Sequence, residues 1–594
     1  MISKATVFLT AGLAVFAVLS DARAQQGDTG GAPLLLAPPV QLQPPAQAPD
    51  AAPSGTAAGE TPPQTPGTGV QVDALQTIDP DSVGVLTAGD GGFGETMWQG
   101  TKRRLVDDLL PRLPIKTSSA TMRDLERRLL LSAAAPPTGE KKAGSLISLR
   151  TGLLAMMGDL DSADSLLQAS PERGANPDLM RIEADTRFLA NDNARACGLA
   201  AARINEDDDP YWQKAFSFCQ ALADEHDKAA LGAALFRELG GEDEAFFALI
   251  EALAGGDKSL ESMTDATPLH LAMARAAGVQ LPADVVARDR PAVLRAVATS
   301  PNAPVNIRLE AAERAEAMGA LPAETLRQLY TAISFSEEDL ANPLSRAEAE
   351  TGPLSRALLY RTSMIQTVPT AQAEAIGRAF ELAREGGRYT STVRVFLPVI
   401  QRIPPSAELL WFAPEAVRAF LIAGQKESAM AWYGVLRASA LFNPESASAV
   451  TKLKPLIFLA GAEESEEWKP EALSAWWQVA QGYPEGRDRG SLMFSLFDAF
   501  DQPVADGLWE GLLDGPQRTT VAMPRPALWF QLRAAASADR IGETVLLSLL
   551  TLGDGGPEQA DPLTLRDVLS RLRAVGLEAE ARALAIEAAV AAGI

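Results

Sequence analysis

Few residues of this chain belong to the types that usually carry catalysis or bind metals. Histidine occurs only twice in 594 residues, as His226 in a charged segment and as His270 in the stretch "TPLHLA". Zinc sites and nucleophile–base pairs usually draw on histidine, so the sequence argues against a zinc centre and against a histidine-dependent triad. We therefore predict no catalytic, cofactor-binding or metal-ligating residue, and a protein that is not an enzyme.

Three short motifs suggest chemistry but have simpler interpretations. The run Gly89-Asp-Gly-Gly-Phe-Gly94 matches a dinucleotide-binding fingerprint, yet no strand pattern follows it, so we expect the end of a linker. The acidic runs "SEEDL" (336–340) and "EESEEW" (463–468) are typical of solvated helix starts, where acids meet the positive end of the helix dipole. In "TPLHLA", we expect Thr267 to cap a helix, Pro268 to take its first position and His270 to bond locally.

The two cysteines are placed to form a disulfide. The midpoint of Cys197 and Cys219 is Asp208, inside the turn-like run "EDDDP". In two antiparallel helices joined there, residues equidistant from the turn lie side by side, and an exported chain meets an oxidising compartment. We predict a structural Cys197–Cys219 bridge; the alternative is a pair of buried free thiols.

Tryptophan is concentrated in one section, with seven of the nine between Trp411 and Trp529. Such aromatics either grip a ligand from an exposed face or fill gaps between packed helices, and the second use is the commoner one. Adjacent side chains on a helix point about 100° apart, so we expect one of Trp476 and Trp477 to be exposed. The candidate binding surface consists of Trp411, Trp432, Trp476 and Trp477.

The N-terminus predicts export. A lysine, an apolar run from Ala5 to Leu19 and the small-residue site Ala22-Arg-Ala24 form a secretory signal peptide, residues 1–24, cleaved between Ala24 and Gln25. The bacterial periplasm is the expected location. We predict no transmembrane segment, because no later run reaches eighteen uncharged apolar residues.

A Pro/Ala-rich segment follows, residues 25–95, which we predict to be a disordered linker. It would act as a passive spacer, a tether or a docking segment. The net charge of the whole chain is −23, with bases interspersed among acids. Such a chain repels phosphate backbones, so we predict no nucleic-acid partner.

From about residue 96 onward the pattern is helical. Apolar residues recur every three or four positions, as in "TMRDLERRLLLSA" and "LRDVLSRLRAVG", and Pro or Gly interrupts them about every fifteen residues. We predict an all-α fold in two helical-repeat regions, 96–300 and 301–594.

A repeat of 33 residues is visible in the first region. Turn-forming residues at Gly158, Asn191 and Asp224 each precede an alanine by five residues, and a small residue lies seven positions before each turn. The alanines are Ala163, Ala196 and Ala229, and the small residues are Thr151, Ala184 and Ser217. The turn-to-alanine step recurs out of frame at Gly240, Gly424 and Gly576.

This pattern, clearest over residues 145–255, resembles the tetratricopeptide repeat, whose period is near 34. The resemblance implies an irregular α-solenoid of antiparallel helical hairpins with an uncovered concave face that binds peptides or folded proteins.

We therefore predict a periplasmic, non-enzymatic scaffold for protein–protein interaction in cell-envelope assembly, whose partner is an envelope protein or a peptide segment. One alternative is a glycan-cleaving or glycan-binding protein with an α-superhelix, since soluble lytic transglycosylases carry one. These end in a lysozyme-like domain, whereas this sequence closes on the helical run "GLEAEARALAIEAAVAAGI". A second alternative is a holdase-like structural protein without a specific partner.

Overall fold

The computed structural model describes residues 79–141, 144–171, 173–462, 468–483, 485–513 and 525–594. Within these ranges the chain forms helices and no β-strand, apart from two isolated bridges, Leu86 with Ser132 and Lys102 with Thr138. The predicted all-α fold is confirmed. The predicted signal peptide, the predicted linker as far as residue 78 and the acidic run 463–467 lie outside the described residues.

The first part of the described chain contains helices α1 to α11. Their bounds are α1 Arg103–Leu109, α2 Ala120–Leu131, α3 Leu146–Met157, α4 Leu160–Ala169, α5 Pro177–Leu189, α6 Asn193–Arg203, α7 Pro210–Leu222, α8 His226–Glu238, α9 Glu244–Leu253, α10 Pro268–Ala277 and α11 Pro291–Ala298. Short 3₁₀ helices lie at Pro80–Ser82, Ala88–Asp90, Leu110–Arg112 and Ala283–Val286.

The second part contains helices α12 to α29. Their bounds are α12 Val305–Ala317, α13 Ala323–Thr331, α14 Glu337–Ala341, α15 Pro343–Ala349, α16 Pro353–Ile365, α17 Pro369–Glu385, α18 Tyr389–Ile400, α19 Ala413–Ile422, α20 Lys426–Ser439, α21 Pro444–Leu459, α22 Glu471–Ala480, α23 Gly486–Ala499, α24 Asp506–Glu510, α25 Pro526–Ser537, α26 Ile541–Leu552, α27 Gly556–Gln559, α28 Pro562–Ala574 and α29 Glu578–Ala591. A 3₁₀ helix lies at Ala407–Leu409. No helix of the described chain is long and apolar enough to cross a membrane.

The 33-residue spacing corresponds to helical hairpins. Gly158, Asn191 and Asp224 have φ angles of 79°, 60° and 61°, the left-handed conformation that ends a helix. The alanine five positions after each turn and the small residue seven positions before it are all buried. Small side chains at these positions let the two helices of a hairpin approach closely. Sequential hairpins pack side by side, which gives the solenoid arrangement.

The disulfide is confirmed. Cys197 on α6 and Cys219 on α7 are bonded, with their Cα atoms 5.5 Å apart. The two helices pack against each other on either side of the turn that the sequence predicted. The alternative of two free thiols is therefore wrong.

The predicted linker extended too far. Residues 79–95 pack against the first helices: Asp81 is buried and accepts a hydrogen bond of 2.8 Å from Arg103, and the Leu86 amide donates to the Leu131 carbonyl. The segment carries no α-helical periodicity, and it is held by this buried ion pair, by main-chain bonds and by the buried Phe93. The Gly89–Gly94 run begins in the 3₁₀ helix Ala88–Asp90 and continues as a turn on this ordered segment.

The last helix, α29, contacts helices from many parts of the chain. Helix α29 packs against α2, α18, α19, α21, α23, α27 and α28. Arginines of two surrounding helices donate to main-chain oxygens near its end, Arg418 to Ile594 at 2.8 Å and Arg489 to Ala592 at 2.9 Å. Helix α29 is thus the helix around which these seven helices pack. The described residues from 79 to 594 form one compact unit, in which α11 and α12 pack together across residue 300.

Candidate interaction surface

Three of the four tryptophans predicted to form a binding surface are buried. Trp432, Trp476 and Trp477 are 1%, 2% and 5% exposed, so they belong to the core and the prediction is wrong for them. Helix α22 is covered by α21 on one side and by α23 on another. Two adjacent side chains can therefore both be buried, although they point in different directions.

The neighbours of Trp477 explain this burial. Its ring lies 5.6 Å from that of Phe494, and a β-carbon at Gly490 would clash with it. The fourth candidate, Trp411, is 53% exposed beside Phe412 and Gly377. It is a single exposed ring rather than part of an aromatic stripe.

The motifs "TPLHLA" and "SEEDL" both lie in the described residues, and each forms the start of a helix. Thr267 and His270 form a reciprocal capping box at α10, and Ser336 and Asp339 form another at α14, which confirms both interpretations. The His270 ring also contacts Asp243, with Nε2 3.1 Å from Oδ2. Burial tends to raise the pKa of Asp243, but the bonds from His270, Lys214 and the Phe246 amide outweigh it and hold that pKa well below its usual value.

Several buried carboxylates join helices. Glu313 accepts from Arg356 at 2.8 Å and from Tyr330 at 2.6 Å, and Glu316 accepts from Arg394 at 2.7 Å. These paired acids are structural anchors between α12, α13, α16 and α18. Among the described residues, no group of three or more His, Cys, Asp or Glu side chains is arranged to hold a metal ion.

Glu126 on α2 differs from these acids. Both of its carboxylate oxygens are buried without a hydrogen-bond partner. Burial raises its pKa well above the usual value, Arg123 lowers it in part and Asp554 raises it further. A proton held on Glu126 satisfies this environment, because a neutral carboxyl costs far less to bury than a charged one.

An exposed apolar row lies on α8. We call Leu231, Leu235 and Leu239 the leucine stripe; they are 71%, 52% and 68% exposed. Their spacing of four residues places them on one side of the helix, opposite the buried Ala229, Ala233 and Phe236. Single exposed leucines are common on protein surfaces, but a contiguous row of three is a candidate contact surface.

The repeat frame supplies an internal comparison for the leucine stripe. The positions equivalent to Leu231 are Ser165 and Gly198, and those equivalent to Leu235 are Ala169 and Ala202. The positions equivalent to Leu239 are Arg173 and Glu206. Only the third hairpin carries large apolar groups there, so folding of this hairpin type does not require them.

Charged residues surround the leucine stripe. Five exposed acids lie at the two ends of α8, and we call them the acidic rim: Asp224, Glu225, Asp227, Glu238 and Glu242. Two cations lie among them, and both have contacts within the chain. Lys228 bonds Glu225 at 2.7 Å, and the Arg237 guanidinium lies 3.9 Å from the centre of the Phe247 ring.

Sequence reasoning missed this surface because leucines spaced by four residues look like a core-facing row. The 33-residue frame contained the information needed: the residues facing inward had already been assigned to the alanine positions, which leaves the leucines on the outer side. The exposed fractions then settle the orientation.

A cleft between α23, α24, α25 and α28 is a second candidate site. It has a volume of about 700 Å³ and is lined by Trp509, Trp529 and Phe530, with Asp498 and Arg566 joined at 2.6 Å beside them. Its size is within the range of small-molecule sites, and its lining combines aromatic rings with a few polar groups.

Comparisons with known proteins return no relationship: no family model, no curated protein and no solved structure matches this chain. The likeness to tetratricopeptide repeats therefore stays a prediction from the residue pattern.

Proposed function

We propose that this protein is an exported, periplasmic, non-enzymatic helical-repeat scaffold that mediates protein–protein interaction in cell-envelope assembly. The leucine stripe is the observation that carries the proposal. The Cys197–Cys219 disulfide is compatible with an exported chain, since such bonds persist in oxidising compartments.

The energetics favour a protein contact on this face. Fully burying a leucine side chain is worth about 1.5–3 kcal/mol, so covering three largely exposed leucines supplies several kcal/mol. That is a substantial part of a micromolar affinity, which corresponds to about 8 kcal/mol. The stripe lies on the side of α8 away from the buried Ala229 and Ala233, so a partner can reach it without any change in how α8 packs on its neighbours.

The test uses the residues of the neighbouring hairpins. The variant Leu231→Ser, Leu235→Ala, Leu239→Glu takes, at each position, a residue that one of the two earlier hairpins carries there. Crosslinking in intact cells followed by purification should recover a small set of envelope proteins with the wild type. This variant should lose them while keeping its helical circular dichroism.

The matched control is Leu441→Ser, which removes a similarly exposed leucine from the turn between α20 and α21, away from both α8 and the aromatic cleft. It should capture the same proteins as the wild type. Identical capture by the leucine-stripe variant would refute the proposal. Capture of many unrelated proteins by both chains would favour the holdase-like alternative.

The aromatic cleft favours glycan binding as a second candidate function. Rings of Trp and Phe stack on sugars, and the adjacent Asp498 and Arg566 offer polar contacts. Soluble peptidoglycan fragments should then quench tryptophan fluorescence in the wild type but not in Trp529→Ala, Phe530→Ala. Turnover of purified peptidoglycan would replace both proposals with the enzyme alternative.

A further inference from the structure

We propose that the partner seated on the leucine stripe is an amphipathic helix whose apolar face is flanked by lysine or arginine residues. This inference rests on the proposed function and specifies the chemistry of the partner.

The first argument is geometric. From Leu231 to Leu239 the stripe extends for about 12 Å along α8, at a rise of about 1.5 Å per residue. Its three members project at every turn of the helix, so they form a narrow straight ridge. A ridge of this kind packs against another helix that offers apolar residues at matching three- and four-residue spacing.

The second argument is electrostatic. The acidic rim contributes five carboxylates around the stripe, whereas Lys228 and Arg237 are the cations among them. Lys228 is already bonded to Glu225, and Arg237 lies over Phe247. The ends of the ridge are therefore negative, and a partner with positive flanks is attracted while one with negative flanks is repelled.

The same charges disfavour two other occupants. A second copy of this chain would bring an identical acidic rim against the first, and the whole chain carries a net charge of −23. An anionic membrane surface would meet the same repulsion. A cationic amphipathic helix can pack its apolar face on the leucine stripe and bring its positive flanks next to the acidic rim.

The experiment compares two synthetic peptides with the full chain. Both have the same helical leucine pattern; one carries lysine flanks and the other glutamate flanks. Fluorescence anisotropy should show binding of the lysine peptide, with affinity at least about tenfold higher than for the glutamate peptide. Raising the salt concentration should weaken the lysine peptide's binding, because exposed charges are screened.

Variants then assign the effect to residues. Neutralising four of the five rim acids by Asp224→Asn, Asp227→Asn, Glu238→Gln and Glu242→Gln, which leaves Glu225 paired with Lys228, should weaken binding of the lysine peptide about tenfold or more. Neutralising two exposed acids elsewhere, Glu427→Gln and Glu471→Gln, should leave its binding unchanged. Helical circular dichroism and the intact disulfide check that each variant is folded.

The outcomes separate this inference from the proposed function. Equal binding of both peptides, no binding of the lysine peptide, or full binding by the rim variant would overturn the cationic-helix inference. If the leucine-stripe variant still loses its crosslinked proteins in cells, the proposed function stands without it. If that variant captures the same proteins as the wild type, both are wrong.

Discussion

Helices α3 to α9 and the helices that surround α29 are built from the same kind of hairpin but differ in regularity. In the first region the turn, the alanine and the small residue recur every 33 residues. Around α29 the turn-to-alanine step occurs at Gly424 and Gly576, where Ala429 and Ala581 are buried, but without a fixed period. At Gly240, between α8 and α9, the step is also out of the 33-residue frame, and the corresponding Ala245 is only partly buried.

The difference shows where a sequence repeat of fixed period can be kept. In a stack of hairpins each unit meets nearly the same neighbours, so the same residue types fit at the same positions. The helices around α29 each meet a different part of one inner helix. Their lengths and contact residues therefore vary, although their turns keep the same chemistry.

Removing a side chain from the inner helix should have the largest effect. Leu584 on α29 is fully buried, so Leu584→Ala should lower the free energy of unfolding by about 2–5 kcal/mol. Urea unfolding followed by circular dichroism measures it, with the exposed Leu563→Ala as a control that changes stability by less than about 0.5 kcal/mol. An unchanged urea midpoint for Leu584→Ala would mean that α29 does not support the surrounding helices.

Removing the disulfide should cause the second-largest loss of stability, in the regularly repeated hairpins. The bond closes a loop with a sequence separation of 22, for which chain entropy predicts about 3 kcal/mol of stabilisation. Cys197→Ser, Cys219→Ser should lower the melting temperature, and a reductant should lower that of the wild type but not of the variant. Equal melting of wild type and variant would show that α6 and α7 need no covalent link.

Two buried acids at α2 and α29 should respond oppositely to neutralisation. Glu587 accepts bonds from the Ser119 hydroxyl and from the Thr121 amide and hydroxyl. Glu587→Gln replaces one acceptor oxygen by a donor group, so it should cost about 1.5–3 kcal/mol. Glu126→Gln instead removes a carboxyl without partners, whose charging opposes folding.

The pH dependence of the unfolding free energy tests the effect of Glu126→Gln. Because the native pKa of Glu126 is raised above the unfolded value of 4.5, the native state keeps a proton that the unfolded state releases. The contribution of Glu126 to the unfolding free energy of the wild type therefore falls as the pH rises from about 4.5 toward the native pKa. Glu126→Gln should therefore gain about 1–3 kcal/mol over the wild type at alkaline pH and little at pH 4, measured by urea unfolding across pH. A gain independent of pH would contradict the assignment.

The leucine stripe should give the smallest effect on stability. Leu231→Ser, Leu235→Ala, Leu239→Glu changes exposed residues only, so each substitution should shift the unfolding free energy by no more than about 0.5 kcal/mol. Thermal melting of wild type and variant checks this. A loss of several kcal/mol would mean that the stripe is needed for folding, and it would remove the basis of the proposed contact surface.

Much of the fold was predictable because its determinants are local. The helices follow from three- and four-residue apolar spacing, and the α10 cap from Thr267 and His270. The Cys197–Cys219 bond follows from equal distances to one turn. The candidate surface was not predicted: Trp476 and Trp477 are buried because α22 has two neighbours, and the leucine stripe is exposed because α8 has none on that side.

The sequence by itself determined the all-α class, the 33-residue hairpin frame and the disulfide, since each depends on residues within a single hairpin or between adjacent hairpins. Only the tertiary structure decided that seven helices pack around α29, which aromatic rings are buried and that residues 79–95 pack onto the first helices. The contact of α29 with α2 joins segments hundreds of residues apart, as between Thr121 and Glu587, whereas the other two features depend on contacts between separate elements nearer in the sequence. Local periodicity specifies that a helix has an apolar side, but the neighbour that covers it is chosen by packing of the whole chain.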